Sequence, residues 1–233
     1  MPSDTVIEQN NATGRVSFWQ GPDHQSIADR RGVSLADYIH AMYGLVRQAG
    51  SQHVLMIGGG GGTLATMLDR VGVRVTMVDI NPAAFEIARL YFNLPPRVAC
   101  HVGDGAAFLK NSPIRYDAIV LDAYTGGVMP RVFARAAFYA LAKSRMRPGK
   151  SIFLANIIAA DDDDRRPDRL ALQMRTAWRD VRLLDCDGYE DRNVVVAAGA
   201  LRGLRPPRLT MRPERCARSI AKSLAEMEFR EIR

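Results

Sequence analysis

Long apolar runs are missing from this chain. No stretch reaches the roughly 20 residues that a membrane-spanning helix needs, and the N-terminus has no apolar core of the kind that a secretory leader carries. Cysteine is scarce. Cys100, Cys186 and Cys216 lie far apart and no two form a Cys-x-x-Cys pair, which speaks against a disulfide framework or a zinc site and for reduced thiols. The expectation is a soluble, cytoplasmic protein with no membrane partner and no metal. Also absent is a dense Lys/Arg tract with interleaved aromatics. The 32 basic residues outnumber 25 acidic ones to give a net charge of +7, which favours anionic partners at long range. The arginines are dispersed, however, so nucleic acid is not the expected partner.

What is present centres on residues 53–82. His53 to Ile57 is a short apolar run that stops at five consecutive glycines, Gly58, Gly59, Gly60, Gly61 and Gly62. The run reads as a buried parallel strand, and the glycines as a loop where backbone approaches a ligand without Cβ interference. Thr63 to Arg70 can carry a helix whose first N–H groups point back into that loop. Val73 to Val78 is a second strand, ending in Asp79 with Ile80 beside it. A carboxylate about 20 residues past the glycine turn can accept both hydroxyls of a ribose. Strand, close-approach loop, helix start and strand-terminal acid in this register form a nucleoside half-site.

The 233 residues suit one large α/β domain with a small appendage. Residues 1–15 are polar and expected to fray; within 1–34, Val16–Trp19 and the stretch after Asp23 read as a short hairpin over the site. Apolar spacing predicts a helix over 35–48 closed by Gly50. Tyr38, His40 and Tyr43 lie on or near it, and packing is the favoured reading for each. Pro82 opens a helix to Phe92, and 97–102 is a third strand. Asp104 and Gly105 follow; Asp104 is placed to N-cap a helix and also to take the exocyclic amine of an adenine. A fourth strand, 116–121, ends in Asp122-Ala123-Tyr124. Carboxyl ends of parallel strands are where open α/β sheets bind ligands, so Asp122 and Tyr124 are expected to face the reacting group. A helix over 132–146 and a fifth strand over 151–158 follow. Asp161–Asp164 reads as a helix start favoured by the dipole rather than as a metal or cation site. A helix over 170–178 precedes two strands, 181–184 and 193–198, expected as antiparallel neighbours at a sheet edge. A closing helix is expected over 213–229. The division is thus 1–34, a nucleoside-binding domain at 35–205, and a linker with helix at 206–233. Seven strands alternating with helices predict the Rossmann-like, doubly wound sheet of class I methyltransferases.

The joint set of motifs is more specific. The glycine run, Val78-Asp79-Ile80-Asn81-Pro82, Tyr91-Phe92, Gly103-Asp104-Gly105 and the run from Tyr116 to Tyr124 resemble the spermidine synthase (polyamine aminopropyltransferase) family over roughly residues 35–198. The resemblance implies an aminopropyl transfer from decarboxylated S-adenosylmethionine to a small-molecule amine. It implies that Asp79 holds the ribose, that Asp104 holds the adenine amine, and that Asp122 is the first acid of the catalytic loop. It also implies a homodimer, although the N-terminal β-domain through which members assemble is reduced here to a short segment. Three family acids are absent. Gly60 or Gly61 stands where the glycine loop usually carries an acid, Thr125 replaces the second acid of the catalytic loop, and Ile39-His40-Ala41-Met42 has none. The chain therefore resembles the divergent, spermidine-synthase-like branch.

These absences leave three functions open. A diamine acceptor needs acids for its distal ammonium and a base at the attacking nitrogen. A glycine loop without an acid would accept the carboxylate of intact S-adenosylmethionine on its N–H groups, which points to a methyltransferase on the same scaffold. The third function is nucleoside binding without catalysis. The acceptor is expected among the 124–130 loop, His24-Gln25 and Tyr189-Glu190.

Overall fold

A computed structural model describes residues 5–233. The central sheet is built from β4 (His53–Ile57), β5 (Arg74–Asp79), β6 (Ala99–Val102), β7 (Ala118–Leu121), β8 (Ile152–Ala159), β9 (Val181–Asp185), β10 (Arg192–Gly199) and β11 (Glu228–Arg230). Their order is β11-β9-β10-β8-β7-β4-β5-β6. The five strands from β8 to β6 are parallel, while β10 runs antiparallel to both β8 and β9. The chain winds outward from β4 through β5 to β6, then returns to lay β7 and β8 on the other side. The switch point lies between β4 and β7, where Ile57 pairs with Leu121. Connections diverge there, so a crevice opens beyond the strand ends.

Both faces of the sheet are covered, as strands without polar alternation require. Val54 and Met56 of β4 face one layer with α1 (Asp37–Gln48), α2 (Thr63–Asp69), α3 (Pro82–Tyr91) and α7 (Ala217–Glu226). Leu55 and Ile57 face the other, with α4 (Gly105–Asn111), α5 (Ala136–Ser144) and α6 (Arg166–Arg175). Each of these fully buried aliphatic side chains contributes about 1.5–3 kcal/mol.

Four expectations change. First, the expected hairpin is a three-stranded antiparallel sheet of β1 (Thr5–Asn10), β2 (Arg15–Gln20) and β3 (Asp23–Ala28). Residues 1–4 of the segment expected to fray lie outside the described residues; Thr5–Asn10 pairs with β2 from Thr5↔Gln20 to Asn10↔Arg15. Val16, Phe18 and Ala28 bury against Ile87 and Phe92 of the α3 region, which anchors this sheet over the glycine loop. Second, the helix expected over 132–146 is broken. A 3-10 turn, Arg131–Ala134, is separated from α5 by extended backbone at Arg135. Third, α7 stops at Glu226 and Phe229 lies in β11, an eighth strand. Arg230 holds β11 in place through ion pairs to the buried Asp168 (2.9 Å) and Asp185 (2.8 Å), and no helical periodicity encodes that. Fourth, β9 and β10 are antiparallel neighbours as expected, but β11 pairs with the outer side of β9, so neither forms the edge. Among the described residues, no helix is long and apolar enough to cross a membrane.

Candidate active site

The crevice at the switch point is closed by glycine contacts. Gly58 has φ +73, and a Cβ there would lie 2.3 Å from the carbonyl oxygen of Asp122. Only glycine lets the β4 and β7 loops approach so closely. The Gly58 N–H donates to Val78 O and the Asp122 N–H to Ile57 O, both at 2.9 Å, so the ends of β4, β5 and β7 are tied together. Gly60 has φ +46 and lies beneath Ser26, whose Oγ would be 2.7 Å from an added Cβ; at Gly61 the Phe92 ring would be 2.8 Å away. The N-terminal sheet and α3 therefore occupy the space into which a side chain at either position would grow.

The loop amides differ from expectation. Gly61 N–H donates to Ser26 Oγ at 2.8 Å, and Gly62 N–H donates to Gly59 O at 2.6 Å. The anticipated row of free N–H groups is largely spent within the protein. Ser26 is the partner that sequence reasoning missed, because it comes from the N-terminal segment and not from the loop itself.

One cavity of about 230 Å³ follows the strand ends, lined by Gly58–Gly60, Asp79–Asn81, Gly103–Gly105 and Asp122–Thr125. Asp79 accepts from Asn81 N–H at 2.9 Å. Burial pushes its carboxyl above the usual range, opposed by the amides of Asn81, Gly59 and Ile80. Ile80 is 71% exposed at the mouth. Asp104 caps α4, accepting from Ala107 N–H at 2.7 Å, and lines the same cavity; Gly105 packs against Ile57. One cavity thus carries a carboxylate at the end of the second strand of the sheet unit, Asp79, and another just past the third, Asp104. Gly61 and Gly62 do not line it.

A second cavity, about 580 Å³, adjoins the first and shares Gln25, Gly60, Asp122 and Tyr124 with it. Asp122 stands at the junction. Its Oδ2 accepts from the Tyr38 hydroxyl (3.2 Å) and its Oδ1 from Asn156 Nδ2 (2.9 Å). Burial raises its pKa, and these two donors hold the rise back. Burial and then the Asp122 charge keep the Tyr38 phenol well above its ordinary value, so it remains a donor. Tyr124 is placed differently from the expectation that it serves the reacting group. Its hydroxyl donates to Asn156 O (3.0 Å) and accepts from Ile158 N–H (3.2 Å). Burial first, then Asp122, raises its pKa too. Tyr124 is thus a neutral wall fastened to β8, not a free acid or base.

Packing accounts for His40, which is 1% exposed and bonds Ser34 O at 2.8 Å, and for the buried Tyr43. Tyr38 also packs against the core, but its hydroxyl in addition reaches Asp122. Asn156 was also missed, although a lone amide inside Ile-Phe-Leu-Ala-Asn-Ile-Ile is a signal. The parallel pairing of Leu121 with Ala155 sets the next residues, Asp122 and Asn156, side by side. In the aspartate run, Asp162 pairs with Arg192 and Asp164 with Arg166, before rather than within the first turn of α6. Among the described residues, no three His, Cys, Asp or Glu side chains stand together as a metal site.

A family model described as the spermine/spermidine synthase domain matches residues 37–156. The chain belongs to this family. Polyamine aminopropyltransferase 2 of Pseudomonas aeruginosa is 31% identical over 140 residues, 55% of this chain and 40% of that one. The N-terminal histidine N-methyltransferase of Emericella nidulans is 34% identical over 97 residues, 40% of this chain and 17% of that one. The chain thus spans less than half the length of these curated relatives. The structure of a probable spermidine synthase from Corynebacterium glutamicum shares the fold, with a TM-score of 0.77 at 18% identity, over 98% of this chain and 87% of that one. Tyr38, Asp79, Asp104, Asp122 and Asn156 all fall within the spermine/spermidine synthase match, whereas Ser26 lies before it.

Proposed function

We propose that this protein is a spermidine-synthase-like transferase, moving an aminopropyl group from decarboxylated S-adenosylmethionine to a small-molecule amine. The observation that carries the reading is the position of Asp122, half-buried at the junction of a nucleoside-sized cavity and a larger neighbour, with both carboxylate oxygens oriented by Tyr38 and Asn156. In this reading Asp79 accepts the ribose hydroxyls and Asp104 the adenine amine, while Gly58–Gly60 let the donor's sulfur lie against the loop. The acceptor enters from the second cavity. Its nitrogen lone pair attacks the methylene carbon bonded to sulfur. The C–S bond breaks with its electron pair going to sulfur, which leaves methylthioadenosine. Asp122 takes the proton released from the new secondary amine. Its raised pKa suits this task, since a base closer to neutrality carries a proton better. Alignment and exclusion of water supply the rest, because a sulfonium is already an activated leaving group.

Methyl transfer from intact S-adenosylmethionine is the second reading. The absence of an acid at Gly60 and Gly61 favours it, since nothing there would pair with the donor's aminopropyl ammonium. The test is Asp122→Asn. Aminopropyl transfer should be lost while methylthioadenosine still binds; transfer that survives the substitution would refute the role of Asp122.

A further inference from the structure

Charge in this protein is segregated between the two ends of the central sheet. At the end where the candidate active site opens, the connections 58–62, 80–81, 103–104, 122–135, 160–165 and 186–191 carry nine acids and three basic residues. At the opposite end, the connections 49–52, 70–73, 92–98, 112–117, 145–151, 176–180 and 200–216 carry three acids and twelve basic residues. The excess behind the net charge of +7 thus lies away from the reacting groups. Arginines that are dispersed along the chain meet in the fold.

Some of them converge on a cleft of about 770 Å³ at the amino ends of β8 and β9. Six cations line it, Arg115, Lys143, Arg147, Arg175, Arg179 and Arg182, against two acids, Asp180 and Glu231. Four of the cations have structural partners. Arg115 donates to Met146 O at 3.2 Å and Lys143 to Ala177 O at 2.5 Å. Arg147 pairs with Asp117 at 3.1 Å, and Arg182 holds Asp180 through two bonds of 3.0 Å. Arg175 and Arg179 differ. Both are exposed, and among the described residues neither guanidinium makes a hydrogen bond or an ion pair. Arg175 ends α6, where a cation complements the helix dipole. Arg179 lies beyond the helix, and no carboxylate or helix end there accounts for its charge.

The lining also limits the ligand. Met146, Trp178 and Val181 form a buried apolar floor beneath the charged rim. Trp178 is the only aromatic of the cleft, so no exposed ring is offered for the base stacking on which single-stranded nucleic acid relies. The volume is that of a small-molecule site. Arginine forks match the paired oxygens of phosphate, and cations on several sides suit a ligand with several phosphates.

We infer that this cleft binds a compact chain of phosphates, as in tripolyphosphate or the triphosphate of a nucleotide, with Arg175 and Arg179 as its uncommitted contacts. The inference does not depend on the proposed function, since no residue of the cleft lines either cavity at Asp122. The full chain is titrated calorimetrically, at physiological ionic strength, with orthophosphate, tripolyphosphate and ATP. The same titrations are run on Arg175→Gln, on Arg179→Gln and on Arg208→Gln, a control in a separate groove beside Pro207 and Leu224. Tripolyphosphate is expected to occupy one site per chain, about tenfold or more tighter than orthophosphate, as one further charge-assisted contact implies. Arg175→Gln and Arg179→Gln should each weaken it by about fivefold, the upper value for an exposed charge pair, and Arg208→Gln should leave it unchanged. Equal binding of tripolyphosphate and ATP would assign the phosphate chain alone as the ligand; binding of one without the other would identify its source as inorganic or nucleotide. No saturable binding of either, affinity no better than that of orthophosphate, or affinity kept in both cleft variants overturns the inference. So does an equal loss in Arg208→Gln, which would mean diffuse attraction to a basic surface.

Discussion

Restoring an acid to the glycine loop is the substitution that a family comparison invites, and the packing here opposes it. At Gly61 a Cβ would meet three atoms of the Phe92 ring at 2.8, 2.8 and 2.9 Å, against an optimum of about 3.5–4.0 Å between carbons. Phe92 is fully buried and packs with Val16, Phe18, Ala28 and Ile87, so its ring has nowhere to retreat. Overpacking of this kind costs about 1–3 kcal/mol. A carboxylate placed against that apolar cluster adds a desolvation penalty of about 1–3 kcal/mol. Gly61→Asp should therefore lose about 2–6 kcal/mol, a large share of the roughly 5–15 kcal/mol by which domains are stable. Urea unfolding measures it through a lowered midpoint. Gly61→Ala isolates the steric part, and pairing it with Phe92→Ala should return about 1–3 kcal/mol of favourable coupling as the clash is relieved. A Gly61→Asp protein as stable as its parent, with tighter binding of the decarboxylated donor, would refute the reasoning: the loop would then have room for the acid.

Three further outcomes are expected. Arg230→Ala removes the ion-pair partner of the buried Asp168, leaving it the Arg233 N–H, and weakens the hold on Asp185, which should cost about 3–5 kcal/mol in a urea melt. Burial alone would raise these two carboxyls, but Arg230, with Arg192 at Asp185, holds both below the ordinary range. Their contribution is thus complete above an unfolded pKa of about 4 and is lost as pH falls through the folded values; Arg230→Ala should flatten that acid dependence. Tyr38→Phe removes one of two donors to Asp122, so the carboxyl rises further and the acidic limb of the rate profile moves to higher pH. The accompanying loss in kcat/KM is about tenfold, and an unmoved limb would remove Tyr38 from the site. Asp79→Asn should weaken methylthioadenosine by about ten- to a hundredfold in a calorimetric titration, whereas unchanged affinity would contradict a ribose contact.

The parallel half of the fold is legible because its signals are local. An apolar run ending at glycine marks β4, Asn81 caps α3 ahead of Pro82 with its side chain 3.0 Å from Ala83 N, and Asp104 caps α4. Parts set by distant partners are not legible. β11 is three residues long and depends on Arg230 finding Asp168 and Asp185 from other elements, so Phe229 reads as the end of a helix. β1 is exposed along most of its length, and its pairing with β2 and the packing of Ile7 hold it in place. The candidate site divides in the same way. Asp79, Asp104 and Asp122 end strands and follow from position along the chain. Tyr38, Ser26 and Asn156 enter the site through packing and register, which spacing along a sequence does not encode. Tyr124 lies on the loop that lines both cavities, but its hydroxyl is bonded to the backbone of β8.

Aminopropyl transfer is tested most directly by identifying the nucleoside product. The protein is incubated with a primary diamine and an equimolar mixture of decarboxylated and intact S-adenosylmethionine, and the nucleosides are separated and weighed by mass spectrometry. Methylthioadenosine formed in step with an aminopropylated amine, and lost in Asp122→Asn, is the predicted result. S-adenosylhomocysteine with a methylated acceptor, and no methylthioadenosine, would contradict the account and make the protein a methyltransferase.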